Sequence, residues 1–188
     1  AIIENGYPLK ISMIVDTPGA YPAYNNDRAK KQFGSAWCEK IAEGRGSFEY
    51  TPMPFTTENA LKYFYGLNIK KVYGNLDTPK LRQLWLTHNN KPVSEGGRPV
   101  VFIYAVSPDW LEQGTLSNTG PVFEAIKAQF KKDFGVEPFL VIDTLWEEYL
   151  IPSAHAAFDN AADAKNEFIG RWLWHGKGNF SQKISPDP

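Results

Sequence analysis

The sequence predicts an α/β fold with parallel strands, because its longest apolar segments are unbroken runs separated by a helix-length stretch. Residues 97–104 read Gly-Arg-Pro-Val-Val-Phe-Ile-Tyr, and residues 134–143 read Phe-Gly-Val-Glu-Pro-Phe-Leu-Val-Ile-Asp. In each segment a turn signal leads into a run without polar interruption, which is typical of strands buried on both faces. The stretch between them has room for a helix, so the pair predicts a strand–helix–strand unit whose two strands are parallel.

The expected elements begin with a strand over residues 9–15, Leu-Lys-Ile-Ser-Met-Ile-Val. This strand ends in Asp-Thr-Pro-Gly at residues 16–19, where proline and glycine signal a turn. A helix is then expected over residues 27–43, with Gly44 as its stop. Its apolar stripe repeats every four residues and consists of Phe33, Trp37 and Ile41.

Three further helical stretches are expected before the last strand. The first covers residues 58–73 and is interrupted near Gly66. The second begins with a capping threonine and a first-turn proline and carries on one face Leu81, Leu84, Trp85 and His88. The third begins at Pro121 and is ended by Gly135, and its stripe consists of Phe123, Ile126, Phe130 and Phe134. The second and third strands are expected at residues 100–106 and 139–142.

Length and composition favour one domain that handles a small polar ligand. The 188 residues carry a formal net charge of −1, which gives no electrostatic reason to expect nucleic acid or an anionic membrane surface as a partner. A single α/β domain is expected over residues 1–175 with a loop or tail over 176–188. The chain is short for a closed (β/α)8 TIM-type barrel, which typically needs about 250 residues, so a partial barrel is also considered.

The compartment is left open by the sequence. Cys38 is the only cysteine, which excludes an intrachain disulfide and a zinc site built on several cysteines. Neither a signal peptide nor a membrane span is predicted. A secreted or periplasmic protein whose signal has been removed has the same sequence features.

Two aspartates are the candidate catalytic groups, because each follows an apolar strand. The carboxyl ends of parallel strands meet at one edge of a sheet, where active sites of such folds lie. Asp16 and Asp143 are therefore expected at the same rim, with Glu147 close behind the third strand. Glycoside hydrolysis uses two carboxyl groups of this kind. The alternative is that both aspartates only cap helices or bind backbone amides in tight turns.

Aromatic residues at the same strand ends are candidates for substrate binding. Sugar rings have flat apolar faces on which tyrosine and tryptophan stack, while polar neighbours orient the hydroxyl groups. The expected binding residues are Tyr104, Ser107, Trp110 and Trp146, together with Glu147. Packing of these aromatics in the mouth of a barrel is the alternative.

Other chemistries lack their sequence signals. His88, His155 and His175 are far apart and form no zinc-binding spacing. The sequence has no Gly-x-Ser-x-Gly nucleophile elbow and no phosphate-binding or dinucleotide fingerprint. No metal and no cofactor are therefore expected.

The order of these motifs resembles a known family. The matching features are the Leu-Lys-Ile strand that ends at Asp16, an aromatic helix with Tyr-Phe-Tyr at 63–65 and Trp85, and the segments 97–104 and 133–141. Over about residues 9–149 they are similar to the middle of a bacterial glycosidase-type barrel family. That family includes endo-α-mannosidase-like glycoside hydrolases and related proteins of polysaccharide metabolism.

The resemblance implies a (β/α) barrel that acts on an oligosaccharide or polysaccharide. It also implies catalytic acids in a later Asn-Glu-Trp motif with a further glutamate downstream, and this sequence contains no such motif. Either the chain is a fragment of a longer enzyme or the usual catalytic apparatus has been lost.

A carbohydrate-active protein, and specifically a glycoside hydrolase, is thus the first functional hypothesis. A non-catalytic glycan-binding protein on the same scaffold is the second, and it requires rim aromatics without a correctly spaced carboxylate pair. The third is a doubly wound α/β domain that binds a small ligand, with strand-end residues serving only as turns. Strand number separates the scaffolds, since a closed barrel needs eight strands and the sequence supports three or four.

Overall fold

The computed structural model describes residues 9–38, 48–104, 110 and 119–142, and these contain a three-stranded parallel sheet. The strands are β1 (Met13–Asp16), β2 (Val100–Tyr104) and β3 (Phe139–Ile142), and β2 lies in the middle. Both neighbouring pairs are parallel. The predicted α/β class and the parallel direction of the strands are therefore confirmed. The described strands form an open sheet of three.

Helix α1 (Ala20–Phe33) follows β1 and is continued by a single 3-10 turn (Gly34–Ala36). It begins seven residues earlier than predicted, because the turn that ends β1 runs directly into its first turn. Its predicted end at Gly44 lies outside the described residues, but the predicted single helix is interrupted before that point. Gly34 has a φ of +69°, a conformation that glycine adopts without strain, and this ends the helix. Phe33 and Trp37 therefore do not share one helical stripe.

A central helix (57–75) forms the middle of the helical layer. It comprises α2 (Thr57–Asn59), a π-helical stretch (Ala60–Ile69) and α3 (Lys70–Asn75). The predicted interruption near Gly66 is the wider π turn, in which the amide of Lys70 bonds to the carbonyl of Tyr65. The helix therefore continues through this point.

Three consecutive aromatics of the π-helical stretch are all buried. Tyr63 donates a hydrogen bond to Asp27 of α1, at 3.0 Å. Tyr65 donates one to Asp133 at 2.7 Å, on the other side of the central helix. Phe64 lies between them in the apolar core. The central helix is thus held between α1 and the helix that carries Asp133.

That helix is α4 (Thr119–Phe134), which connects β2 to β3 as the sequence predicts. Gly135 ends it with a φ of +73°, and the amide of Gly135 bonds to the carbonyl of Lys131. The predicted stripe is buried against the central helix and the sheet, and consists of Phe123, Ile126, Phe130 and Phe134.

The helix predicted after Thr78-Pro79 is wrong beyond its first turn. The Thr78 hydroxyl does cap the segment by accepting a bond from the amide of Leu81. Only a 3-10 turn (Leu81–Leu84) follows, and Trp85 is extended. The chain leaves the helix here because residues on both sides of Trp85 bond to the backbone of Ile11, at 2.7 and 2.9 Å.

All of these helices pack on one face of the sheet. The core on that face contains Val15 of β1, Val101 and Ile103 of β2, and Leu140 of β3. Alternate residues point to the opposite face, where Val100, Phe139 and Val141 form a separate small cluster covered by Leu86. The described helices leave this second face partly open, since Ile14 of β1 is 45% exposed.

No helix within the described ranges is long and apolar enough to cross a membrane.

Candidate functional site

Asp16 and Tyr104 lie side by side at the carboxyl ends of β1 and β2. They are register partners in the parallel pair, so both point to the sheet face opposite the helices. Asp16 is exposed and Tyr104 is half-buried. The sequence-based expectation that polar strand ends gather at one edge thus holds for these two residues.

The turn after β1 fixes the backbone of this pair. Thr17 is fully buried, and both its amide and its hydroxyl donate to the carbonyl of Tyr104, at 3.3 and 3.2 Å. The next three amides bond to the carbonyls of Asp16, Thr17 and Pro18, which leads the chain into α1. These two hydrogen bonds from Thr17 hold the end of β1 next to the end of β2.

Gly19 leaves space for the Asp16 side chain because it has no Cβ atom. A Cβ atom at position 19 would lie 3.1 Å from both the carbonyl oxygen and the carboxylate Oδ2 of Asp16. The carboxylate therefore lies over the start of the turn, next to the bare backbone of Gly19. A larger residue here would push the carboxylate away.

The Asp16 carboxylate forms no hydrogen bond and no ion pair among the residues that the structure describes. Reading Asp16 as a turn cap requires bonds to backbone amides, and the amides of this turn are instead satisfied by carbonyl groups. An exposed carboxylate without an internal partner is available to a ligand.

Ile14 and Phe102 continue the same strip of the sheet below Asp16 and Tyr104. They are also register partners, and Ile14 is 45% exposed while Phe102 is half-buried. These two residues are not among the site residues predicted from the sequence. The two-residue period of a strand predicts where they lie. Ile14 is on the same face as Asp16, and Phe102 is on the same face as Tyr104.

Trp110 does not stand at the rim, and the expectation of an exposed platform there is corrected. Its side chain is 0% exposed and stacks on Phe55 with ring centroids 4.7 Å apart. Its indole Nε1 donates to the carbonyl of Met53 at 2.7 Å. A ring enclosed in this way has no face left for a sugar, so Trp110 is a core residue in this structure.

The remaining predicted site residues lie outside the described part of the chain. These are the second candidate catalytic residue and three binding candidates: Asp143, Ser107, Trp146 and Glu147.

Two clusters of tyrosine, aspartate and lysine flank the central helix, and sequence spacing gave no signal for either. In the first, Asp27 accepts from Tyr63 and pairs with Lys62 at 2.6 Å. The Lys62 ammonium is the main cause that lowers the pKa of Asp27. Burial raises the pKa of Tyr63.

The second cluster joins the central helix to α4. Asp133 accepts from Tyr65 and pairs with Lys70 at 3.1 Å. Burial by itself would raise the pKa of Asp133, but the hydrogen bonds from Tyr65, Lys70 and Gln129 outweigh it and lower the pKa. Burial is also the main cause that raises the pKa of Tyr65. In each cluster the Oδ2 atom of the aspartate is bound by a tyrosine and a lysine of the central helix, so we assign these clusters to holding the helices together.

The described residues contain no group of three or more histidine, cysteine, aspartate or glutamate side chains placed to bind a metal ion. His88 is stacked on Phe139 with ring centroids 4.9 Å apart. It therefore packs on the second face of the sheet, near the amino end of β3.

Comparison with known proteins gives one family match. Neither the curated proteins nor the solved structures yield a match to this chain. A family model described as a domain of unknown function, DUF5010, matches residues 2–166, which is most of the chain. The chain therefore belongs to the DUF5010 family.

Proposed function

We propose that this protein is carbohydrate-active and acts as a glycoside hydrolase through a carboxylate pair at the carboxyl ends of its parallel strands. One observation carries the proposal: the exposed Asp16 carboxylate has no partner among the described residues and stands beside Tyr104 at the strand ends. The resemblance of the sequence motifs to a glycosidase-type barrel family supports the same substrate class.

The scaffold proposed is a (β/α) barrel or part of one. In such barrels the helices form the outer ring, and apolar side chains fill the interior face. The described helices pack on one face of the sheet, and the other face carries Ile14, Phe102 and Val141. Asp16 and Tyr104 belong to that second face at its carboxyl end, which is where barrel enzymes hold their reacting groups.

β1 and β3 are separated by β2, so their ends lie two strand spacings apart, or about 9.5 Å. We propose that Asp16 after β1 and Asp143, which follows β3 in the sequence, act as the general acid and the general base of the hydrolysis.

In this mechanism one carboxyl group protonates the glycosidic oxygen as the bond to it breaks. The other accepts a proton from the water that attacks the opposite face of the sugar ring. Tyr104, as the register partner of Asp16, is proposed to orient the sugar by stacking or by its hydroxyl group.

A digestion screen with matched variants tests the proposal. The wild type is incubated with a panel of polysaccharides, and new reducing ends are measured. Asp16→Asn should lower the rate about 10² to 10⁴-fold, which is the usual contribution of an acid or base. Glu58→Gln removes an exposed carboxylate at the start of the central helix and should leave the rate unchanged. No release of any sugar, or equal rates for wild type and Asp16→Asn, would contradict hydrolysis by this pair.

A non-catalytic glycan-binding protein is the second candidate, and one observation favours it. Next to Asp16, the exposed Ile14 and the half-buried Phe102 form an apolar strip that can pack against a sugar ring without a second carboxylate. In that case the wild type binds an oligosaccharide on a glycan array without releasing product. Asp16→Asn would then weaken binding by about 10-fold to 150-fold, since a hydrogen bond to a charged group contributes about 1.5–3 kcal/mol.

A further inference from the structure

A depression of about 440 Å³ lies at the carboxyl end of α1, away from the strand ends. Among the described residues it is lined by Lys30, Gly34, Ser35 and Trp37. Helix α1 starts just after Asp16 and is 14 residues long, so its two ends are about 20 Å apart. The depression is therefore separate from the candidate site on the sheet.

The end of α1 creates this depression. Gly34 ends the helix in a conformation that favours glycine, and a Cβ atom there would meet nothing within 4 Å. The chain then makes one 3-10 turn and brings Trp37 back beside Lys30. The indole is only half-buried, and the Lys30 ammonium lies 5.8 Å from its centroid. An aromatic surface, an ammonium group and the Ser35 hydroxyl thus share one open depression.

We propose that this depression is an accessory site that binds uronic-acid residues of a polysaccharide. A half-buried indole offers its apolar surface to the C–H face of a pyranose ring. The Lys30 ammonium is placed to pair with a carboxylate on that ring, and Ser35 can donate to or accept from a hydroxyl. The ligand class, a glycan, rests on the proposed function, whereas the preference for an acidic sugar comes from Lys30.

Isothermal titration of the full chain with a uronic-acid trisaccharide tests the inference. The same trisaccharide with its carboxyl groups reduced to alcohols is the matched neutral probe. The acidic probe should bind a few-fold more tightly, since an exposed ion pair contributes about 0.2–1 kcal/mol.

Three variants assign the binding to this depression. Trp37→Ala should weaken binding of both probes, by about fivefold or more if stacking contributes about 1 kcal/mol. Lys30→Gln should remove the preference for the acidic probe and leave the affinity for the neutral probe unchanged. Lys31→Gln is the control, because Lys31 is the exposed neighbour of Lys30 and does not line the depression. Equal affinities for the two probes, or an equal loss of preference in Lys30→Gln and Lys31→Gln, would overturn the proposal.

These measurements distinguish a failure of the accessory-site proposal from a failure of the proposed hydrolytic function. If Asp16→Asn leaves trisaccharide binding intact while digestion is lost, both proposals are supported. If no polysaccharide is digested but Trp37→Ala still weakens binding, the accessory site stands and only the hydrolytic function fails. If Asp16→Asn abolishes trisaccharide binding and Trp37→Ala does not change it, the sugar binds at the sheet and the accessory site is refuted.

Discussion

Replacing Trp110 tests whether this residue belongs to the core or to a glycan platform, because only a core residue is expected to lower the stability of the protein when it is truncated. The indole is fully buried, stacks on Phe55 at 4.7 Å and lies 5.9 Å from Phe64. Truncating a buried tryptophan to alanine usually lowers the free energy of unfolding by about 3–5 kcal/mol. A typical domain has only about 5–15 kcal/mol in total, so Trp110→Ala should be severely destabilised.

Trp110→Phe is the milder variant and keeps most of the packing. It removes the Nε1–H bond to the Met53 carbonyl and leaves that buried oxygen unsatisfied. Leaving a buried acceptor without a partner costs about 1–3 kcal/mol. We expect Trp110→Phe to lower the free energy of unfolding by about 2 kcal/mol, with additional loss from the smaller ring.

Urea unfolding followed by linear extrapolation measures both variants, and glycan binding is measured on the same samples. If Trp110 is a core residue, Trp110→Ala should lose more stability than Trp110→Phe. Trp110→Phe should keep the glycan affinity of the wild type. The reasoning would be refuted if both variants kept the stability of the wild type while their glycan affinity fell. That result would mean that the ring is exposed to ligand in solution.

Two further predictions concern the helical layer. Asp133 has a pKa lowered by its partners, so it stabilises the fold above the pKa of an unfolded aspartate and loses this effect as the pH falls. Asp133→Asn should therefore be less stable than the wild type at neutral pH, by about 1–3 kcal/mol. This difference should shrink when urea unfolding is repeated towards about pH 3, whereas a gap that does not depend on pH would show that charge plays no part. Gly135→Ala places a side chain at a φ of +73° and should cost about 1 kcal/mol, measured as a lower melting temperature. Gly74→Ala, in α3 with open space around it, should instead raise the melting temperature, and the same sign of change in both glycine variants would contradict the reasoning.

The sheet and α4 were predictable because their signals are local and repeated. The runs at β2 and β3 have no polar interruption, and Gly135 follows a regular apolar stripe. Their parallel pairing then follows from the single helix between them. Asp16 and Tyr104 could be brought together from the same reasoning, since both end strands of one parallel pair.

The features that the sequence did not predict depend on contacts between residues far apart in the sequence. Trp85 follows a helix-capping signal, yet backbone bonds to Ile11 make it extended. The position of Trp110 after a strand predicts a rim residue, but its ring packs against Phe55 in the core. The sequence pattern predicted a break near Gly66 where the structure has a π-helical stretch, and this stretch allows Tyr63 and Tyr65 to reach helices on opposite sides.

The proposal that glycan binds on the open sheet face is tested most directly by methyl NMR. The protein is titrated with an oligosaccharide that it binds or cleaves. Ile14 and Ile103 lie on neighbouring strands but on opposite faces, with Ile14 45% exposed and Ile103 1% exposed. We predict that the methyl signals of Ile14 shift in proportion to saturation while those of Ile103 stay in place. Unchanged Ile14 signals at saturating oligosaccharide would contradict a glycan site on this face.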